Sequence, residues 1–458
     1  MTTTTRETSA GPFHRDYRLV SIGIFGLVAG IAFEFMAVAT ALPVAARELG
    51  GQALYPWALT GFLAGVMFAN GVAGEVCDRV GPRLPLIVGA LTFAAGLVLS
   101  GLSQTMPMLI GGRVVQGLGA GVTIVAVYVV IGQCYPDTTR PRVMSLISTA
   151  WVVPSVVGPF IAGGLTELVS WRWAFLSLVP LMPITLAVVL PSLGKSKPTG
   201  TRRPGRVWLA ASMALGATAL QWAGIQGEDK RWLSAAAVGI GGMVLLLTSA
   251  RRLFPPGTLR LRRGLPSVIA FRGVMAGGFF GAQAYVSLML IEHRGVSPTI
   301  AGLSVAGTAL GWSAGAYFQG RPRLRIPRSG LVTRGAAVTA LGVLVTGSAS
   351  IATDTVVFPV WLAGLGLLLG GVGMGLSMAS NAVLLFDYSP PQDRGANSAA
   401  IQMSDSLGGL LVIGAAGVVY AAWRDTWPPT QLFLAIFALA GLVMVLANVV
   451  ARRVRRPT

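Results

Sequence analysis

The sequence is poor in charged residues, and this shortage excludes a soluble globular protein. Charged residues make up 11% of the 458 positions, whereas hydrophobic residues make up 53%. A water-soluble domain usually has about a quarter of its residues charged, with both signs spread over its surface. We therefore expect the chain to lie in a membrane.

Cysteine and histidine are scarcer still, which argues against disulfide and metal frameworks. Cys77 and Cys134 are the two cysteines, and we expect free thiols. His14 and His293 are the two histidines, and the predicted topology places them too far apart for a metal pair. No Gly-x-x-x-x-Gly-Lys-Ser/Thr run is present, so we do not expect an ATP-driven pump. We also predict that the protein is not an enzyme. The sequence predicts no metal and no cofactor.

Acidic residues are outnumbered, with 16 Asp and Glu against 35 Lys and Arg. The basic residues stand in short clusters between apolar runs, without the interleaved aromatic residues that stack on bases. We therefore predict no nucleic-acid partner and interpret the clusters as topology signals. The polar segment 1–16 lacks the features of a cleaved signal peptide, so the first apolar span should direct its own insertion.

Long apolar segments recur along the whole chain. Each is close to the roughly 20 residues that a helix needs to cross a hydrocarbon core of about 30 Å. The sequence predicts fourteen such helices and an all-α integral membrane protein. Their ranges are 19–44, 55–75, 84–103, 107–133, 143–168, 173–191, 207–225, 232–250, 265–291, 298–318, 330–350, 356–386, 396–422 and 430–451.

The distribution of basic residues predicts the orientation of these helices. With the N-terminus inside, only six of the 35 Lys and Arg residues fall in outer loops, which satisfies the positive-inside rule. The six are Arg47, Arg172, Lys230, Arg231, Arg294 and Arg424. We therefore predict a multi-pass protein of the cell's inner (plasma) membrane with both termini in the cytoplasm.

Two short spans stand apart from the rest. Segments 207–225 and 232–250 are joined by a tight polar turn and bracketed by basic linkers, as an inserted hairpin would be. Without them the chain has two sets of six helices, which suits a transporter built from two parallel repeats. A core of twelve spans with two amphipathic linker segments is the alternative. The predicted parts are a cytoplasmic tail (1–18), an N-terminal half (19–191), linkers with the hairpin (192–264), a C-terminal half (265–451) and a basic tail (452–458).

Four stretches in the N-terminal half resemble motifs of the major facilitator superfamily. The loop "GEVCDRVGPR" at 74–83 is similar to its cytoplasmic signature Gly-x-x-x-Asp-Arg-x-Gly-Arg-Lys, and "RVVQGLGAG" at 113–121 to its Arg-x-x-x-Gly-x-Gly-Ala element. "PSVVGPFIAGG" at 154–164 resembles the Gly-Pro element of its exporters. "WRWAFLSLVPL" at 171–181 resembles the sixth-helix entry of its fourteen-span drug:proton antiporters.

These motifs suggest residues that gate the transporter. Gly74 should let helices approach, Gly81 should permit a tight turn, and a kink at Gly158 and Pro159 should bend a closely packed helix. The remaining predicted gating residues are Asp78, Arg79, Arg83 and Gly163. An ordinary charged turn and a merely kinked helix are the structural alternatives.

Glu34 lies in the apolar run "AFEFMAVATALP", which is otherwise uncharged between Arg18 and Arg47. It is about 24 Å of helix from Arg18 and about 20 Å from Arg47, near the midplane of the membrane. Glu34 lies nine residues before the proline of a Leu-Pro pair, like the acid of the antiporter family's first-helix signature, with Glu in place of Asp. Arg113 lies roughly 15 Å below the outer loop that precedes its helix. A charge at this depth needs a water-filled cavity or an acidic partner unless its side chain snorkels to the surface. We predict that Arg113 lies beside Glu34 and that this pair couples transport to protons, with Glu34 as the group that takes up and releases the proton.

Two charged residues in the C-terminal half leave alternatives open. Asp405, roughly 13 Å inside its helix, is a second proton site, a substrate anchor, or an acid paired with Gln402 or Ser406. Arg272, about 10 Å inside, can snorkel to the cytoplasm. We also expect Met36, Trp151, Tyr285 and Met289 to line a cavity for varied lipophilic molecules.

The resemblance implies a proton-coupled exporter that works by alternating access, with protons as the coupling ion. Its partners would be a lipophilic small-molecule substrate and membrane lipids, and we expect a monomer. Two alternatives remain open: an exporter of lipids or lipid-linked molecules, and a transport-inactive membrane sensor or scaffold.

Overall fold

The computed structural model describes residues 12–136, 138–193, 206–225, 232–321, 325–353, 356–390 and 393–455. Each of the fourteen predicted segments is helical there, which confirms an all-α protein. The helices are α1 (Arg18–Glu48), α2 (Tyr55–Val80), α3 (Arg83–Gly101), α4 (Met106–Cys134), α5 (Arg140–Leu168), α6 (Trp173–Leu176), α7 (Leu181–Val189), α8 (Arg206–Ile225), α9 (Trp232–Leu253), α10 (Leu265–Leu288), α11 (Pro298–Gln319), α12 (Arg328–Ser348), α13 (Trp361–Tyr388), α14 (Arg394–Trp423) and α15 (Pro429–Arg453).

Proline accounts for two differences from the predicted boundaries. Segment 173–191 is broken into α6 and α7, because Pro180 stands at the N-cap of α7 and has no N–H to continue the preceding turn. Segment 356–386 becomes helical only at Trp361, just after Pro359, since the residue before a proline is driven out of the helical region. The remaining helices begin and end within a few residues of the predictions.

Within the described residues, twelve helices are long and apolar enough to cross a membrane. The predicted number of fourteen spans is therefore not reached on these criteria, because α8 and α11 are not among the twelve. In α11 the apolar pattern is diluted by Thr299, Ser304, Thr308, Ser313 and Gln319. This helix is nevertheless packed against α13 and α5 along the bundle.

Helices α8 and α9 form a hairpin that contacts both halves of the bundle. Their close packing depends on glycine, since a Cβ on Gly216 would collide with the backbone of Gly242. On the other side, α8 lies against α2 and α14. Through α8, the hairpin thus touches one helix of each half.

The two halves touch most closely where α5 meets α11. A Cβ on Gly302 would overlap the carbonyl of Pro159, and a Cβ on Gly163 would overlap Pro298 and Thr299. Two polar contacts lie at the same end of the bundle: Gln52 Nε2 donates to Glu292 Oε2 at 3.0 Å, and Thr299 Oγ1 donates to Glu167 Oε2 at 2.6 Å. We call this the Glu48 end, because α1 ends there, and the opposite end the Arg18 end.

Candidate functional site

Glu34 lies in the middle of α1, and its side chain has no exposed surface. The helix runs unbroken for 31 residues because its interior is apolar and Pro43 falls only in its last third. α1 is held between α5 and α7. Since a buried carboxylate is costly unless it is paired, the environment of Glu34 must supply a partner.

Arg113 of α4 is that partner. Its Nη1 donates to Glu34 Oε1, and the guanidinium is 2% exposed. Its Nε donates to the carbonyl oxygen of Ala58 at 3.1 Å, and its Cζ lies 4.5 Å from the centre of the Phe62 ring. The pairing predicted from the depth of the two residues is confirmed, and Arg113 does not snorkel to the surface.

Gln116 holds Arg113 in place, and the sequence analysis missed it. Its Oε1 accepts from Arg113 Nη1, while its Nε2 donates to the carbonyl of Gly96 at 3.2 Å and to Ser100 Oγ at 3.1 Å. α3 and α4 approach closely enough for these bonds because Gly96 packs against the Gln116 backbone. The sequence contains a signal for this contact, because Gln116 stands one helical turn after Arg113 and residues at this spacing are neighbours on a helix.

The second carboxylate oxygen of Glu34 has a different environment. Oε2 is buried and has no hydrogen-bond partner among the described residues. A protonated carboxylic acid needs one oxygen to carry the proton while the other can still accept a hydrogen bond. The arrangement therefore allows Glu34 to take up a proton on Oε2 without first dismantling the Arg113 network.

A second ion pair joins α10 to α14. Arg272 Nε and Nη2 lie 3.1 Å and 3.4 Å from Asp405 Oδ1 and Oδ2, and the side chains are 18% and 26% exposed. Close backbone approach brings the helices together, since Gly273 packs on Ser404 and Gly408 packs on Gly273. Of the alternatives left open, Arg272 pairs with Asp405 in place of snorkelling, and Asp405 pairs with Arg272 in place of Gln402 or Ser406. A role of Asp405 in proton or substrate binding stays a prediction.

The chain matches the family model of the Major Facilitator Superfamily over residues 24–361. It belongs to the major facilitator superfamily. The superfamily is one of membrane transporters, and this assignment agrees with a multi-pass membrane protein, since twelve helices among the described residues are long and apolar enough to cross a membrane.

Similar proteins include transporters named for drug efflux. A probable multidrug-efflux transporter of Mycobacterium tuberculosis is 26% identical over 460 residues, which cover 96% of each chain. An uncharacterized MFS-type transporter of the same organism is 28% identical over 423 residues, which cover 88% of this chain and 59% of that protein. The chain thus spans little more than half the length of that relative.

Solved structures share the fold at low sequence identity. The crystal structure of an auto-inhibited POT family peptide transporter has a TM-score of 0.66 and 18% identity to this chain. The match covers 95% of this chain and 99% of that one. This likeness shows a shared fold alone.

The signature loop of this transporter has the predicted turn but not the predicted close packing. Gly81 ends α2 with φ +77°, a left-handed conformation that favours glycine, and Arg83 begins α3. Arg79 pairs with Glu75 one turn before it. The expectation for Gly74 is wrong in this conformation, because a Cβ there would meet nothing within 4 Å. The gating role of Asp78 stays a prediction.

The exporter-like segment of α5 is packed as predicted. The helix continues through Pro154 and Pro159 to Leu168. A Cβ on Gly158 would come within 3.3 Å of the Phe33 ring on α1, so this glycine keeps α1 and α5 close together. With the Pro159 and Gly163 contacts to α11, α5 forms the seam between the halves.

Trp171 has a structural role that differs from that of a tryptophan in an interfacial aromatic belt. It is 1% exposed, and its Nε1 donates to Glu48 Oε2 at 2.9 Å. Arg172 Nη1 lies 2.5 Å from Glu48 Oε1, and its Nη2 donates to the Ser103 carbonyl at 3.2 Å. Trp173, at 47% exposure, suits the belt. Trp171 and Arg172 therefore link the C-terminal end of α1, at Glu48, to the start of α6.

The residues predicted to line a cavity differ in their burial. Tyr285 and Met289 are fully buried, and the Tyr285 hydroxyl donates to the carbonyl of Ile413 at 3.0 Å. Met36 is nearly buried beside Gln283, and Trp151 is half-buried on α5. A substrate-binding role for these four stays a prediction.

Proposed function

We propose that this facilitator is a proton-coupled exporter of lipophilic small molecules. The observation that carries the proposal is the buried pair of Glu34 and Arg113, in which one carboxylate oxygen has no described partner. The name of the multidrug-efflux relative supports the substrate class, and the Gly-Pro packing of α5 supports the exporter direction. No cofactor is required, since protons are the coupling ion.

The chemistry starts from the cost of an unpaired buried charge. With Glu34 ionised, its charge and that of Arg113 cancel. When Oε2 takes up a proton, Arg113 is left as an uncompensated cation in a site cut off from water, which is unfavourable by several kcal/mol in typical proteins. Protonation therefore biases the two halves toward an arrangement that exposes this region, and deprotonation biases them back.

Export follows if protonation happens on the outer side. Under the predicted orientation the Glu48 end faces outward, and the contacts of α5 with α11 close that end in this conformation. Substrate would enter from the Arg18 end as Glu34 gives up its proton to the cytoplasm. The return of a proton on the outer side then completes the cycle.

The available driving force is adequate for such a cycle. A membrane potential of about 100 mV contributes about 2.3 kcal/mol for each charge moved, and one pH unit contributes about 1.36 kcal/mol. Since about 2.7 kcal/mol corresponds to a hundredfold ratio, one proton can sustain roughly that gradient of a neutral substrate.

We further propose fourteen membrane spans, with both termini in the cytoplasm of the plasma membrane. Helices α8 and α11 complete the count, because α8 packs against the bundle and α11 lies between α5 and α13. The two six-helix halves, at 19–191 and 265–451, would then move about the hairpin, and the unit would be a monomer.

An apolar groove on the hairpin favours a second candidate, the export of lipids or lipid-linked molecules. The groove lies between α8 and α9 and is lined by Leu220, Ile240 and Met243 together with alanines and a glycine. Its surface is almost wholly nonpolar, as an acyl chain would need.

The test is efflux from proteoliposomes under an imposed pH gradient. A panel of neutral drugs, cationic drugs and fluorescent lipids would be compared in the wild type, Glu34→Gln and the control Asp425→Asn, whose carboxylate is exposed. We expect gradient-driven efflux of drugs to be lost in Glu34→Gln and kept in Asp425→Asn. Undiminished gradient-driven transport in Glu34→Gln would contradict the proton-carrier role. Transport of lipids alone would favour the second candidate.

A further inference from the structure

The connection between α9 and α10 is a folded turn at the Arg18 end of the bundle. We call residues 255–264 the basic turn. The backbone N–H groups of Arg260 and Arg262 both donate to the carbonyl oxygen of Gly257, at 3.1 Å each. Ser267, in the first turn of α10, donates from its Oγ to the carbonyl of Arg262 at 2.7 Å. The basic turn therefore has a defined backbone conformation.

The basic turn is also attached to the last turn of α15. The N–H of Gly264 donates to the carbonyl oxygen of Arg453 at 3.1 Å. In return, Arg453 Nη1 lies 3.5 Å from the carbonyl oxygen of Leu261, which is 192 residues away in the sequence. These bonds bring two remote segments of the chain together at one place on the surface.

Leu261 shows how firmly the basic turn is held. Its φ of +52° is in the left-handed region, which leucine rarely adopts. Its side chain packs against the hydrophobic core, and its carbonyl accepts from Ser267 Oγ at 3.1 Å. A residue in this conformation persists only where its surroundings fix it. The exposed side chains of Arg260 and Arg262, on either side, are thus presented from a fixed backbone.

The two joined segments carry positive charge without counter-ions. Residues 251–263 contain five arginines, residues 452–455 contain three, and neither segment has an Asp or Glu. All of these arginines are exposed, and none forms an ion pair among the described residues. The positive-inside rule accounts for basic residues at this end, but an unstructured loop would satisfy it equally well. The patch is therefore free to bind an anion.

Apolar surface lies directly beside this charge. Leu259 of the basic turn is 46% exposed. Helices α9 and α15 both carry exposed apolar side chains, such as Ile240 and Leu442, and both have two arginines in their last turn. Phe254, the one aromatic residue of the two segments, is buried, so no ring is available to stack on a base. An anion attached to acyl chains fits this combination, since arginine binds phosphate through paired N–H groups.

We propose that the basic turn and the end of α15 bind the headgroup of an anionic phospholipid in the leaflet at the Arg18 end. Arg260, Arg262 and Arg263 contribute from the basic turn, and Arg453 contributes from α15. A headgroup bound there would connect the hairpin's exit to the last helix of the C-terminal half. The site is remote from Glu34, and its occupancy does not depend on proton coupling or on the direction of transport.

The test is native mass spectrometry of the purified, delipidated full chain in a neutral detergent. Dioleoylphosphatidylglycerol, which is anionic, would compete with dioleoylphosphatidylcholine, which is zwitterionic. We expect the wild type to bind the first anionic lipid at least roughly tenfold more tightly. Each arginine near an anionic surface contributes roughly fivefold, so the combined variant Arg260→Gln, Arg262→Gln and Arg263→Gln should abolish this preference.

The matched control removes the same charge at the same end of the bundle. Arg321→Gln, Arg325→Gln and Arg334→Gln in combination change three exposed arginines near the start of α12 and should keep the wild-type preference. A second measurement needs no variant: raising the ionic strength from about 0.1 M to about 0.5 M should weaken binding of the anionic lipid to the wild type.

Three results would overturn the proposal. The first is equal binding of the two lipids by the wild type. The second is an equal loss of preference in the control variant, which would show that only the total charge matters. The third is displacement of the lipid by an equal concentration of glycerophosphoglycerol, the water-soluble headgroup, which would assign the patch to free phosphate esters.

Discussion

Gly302 of α11 lies directly against the carbonyl oxygen of Pro159 of α5, so that the two halves of the transporter touch backbone to backbone. Pro159 has no backbone N–H, so it donates no hydrogen bond that would have to break when the halves separate. Gly302 has no side chain, so no side chain has to move out of the contact. A seam of this kind can close tightly and still open.

Enlarging Gly302 should prevent closure of the Glu48 end. A Cβ there would overlap the Pro159 carbonyl, so we expect Gly302→Val to hold this end open and to reduce transport at least tenfold. Labelling of a cysteine introduced at Thr299 would report the opening. Gly164→Val is the matched control, since a Cβ at Gly164 meets nothing within 4 Å. Equal labelling in both variants would refute the role of the seam.

The geometry of the Arg113 network should be specific for arginine. Arg113 donates to Glu34, Gln116 and the Ala58 carbonyl through a planar group that an ammonium cannot reproduce. We expect Arg113→Lys to lose most of its transport while it keeps its charge. Gradient-driven efflux would measure this, with Arg321→Lys, at the Arg18 end, as the control. Full activity of Arg113→Lys would show that charge alone is needed.

The pair of Arg272 and Asp405 should stabilise the contact between α10 and α14. Because both side chains are partly exposed, we expect Asp405→Asn and Arg272→Gln each to lower the free energy of unfolding by about 1–2 kcal/mol. The double variant should lose less than the sum of the two. Thermal melts of the four proteins test this coupling. Strict additivity would mean that the two charges do not interact.

Trp171 should contribute to stability through its indole N–H. Trp171→Phe removes the donor to Glu48 while it keeps an aromatic ring, and we expect a loss of about 1–2 kcal/mol of stability from the hydrogen bond and the smaller ring. Trp173→Phe, on an exposed ring, should change the melting temperature little. Equal shifts in the two variants would contradict the role assigned to Trp171.

Much of the helical framework could be predicted because the membrane imposes it. Charges and prolines mark where apolar helices end, and the depth of Glu34 and Arg113 along their helices was enough to predict that they meet. The pairing of Arg272 with Asp405 was not predicted, because Arg272, about 10 Å inside its helix, lies close enough to the surface to need no buried partner. For Gly74, the family motif suggested a packing that this conformation lacks.

Buried amides and ring contacts were the hardest features to foresee. Gln116 and Gln283 are uncharged residues within apolar helices, so composition does not distinguish them from packing residues. The structure shows what distinguishes each of them: Gln116 Oε1 accepts from the Arg113 guanidinium, whereas the Oε1 of Gln283 is buried and has no hydrogen-bond partner among the described residues. The burial of Tyr285 similarly depends on α2 and α14, which are remote in sequence.

The most direct test of the central claim, that Glu34 exchanges a proton for substrate, is to drive protons with substrate. Proteoliposomes with the Arg18 end facing the lumen would be loaded with the fastest-exported substrate of the panel and an internal pH indicator, without an initial pH gradient. The account predicts that substrate leaving the wild-type vesicles acidifies the lumen and that Glu34→Gln abolishes this acidification. Acidification by Glu34→Gln at the wild-type ratio of protons to substrate would contradict it.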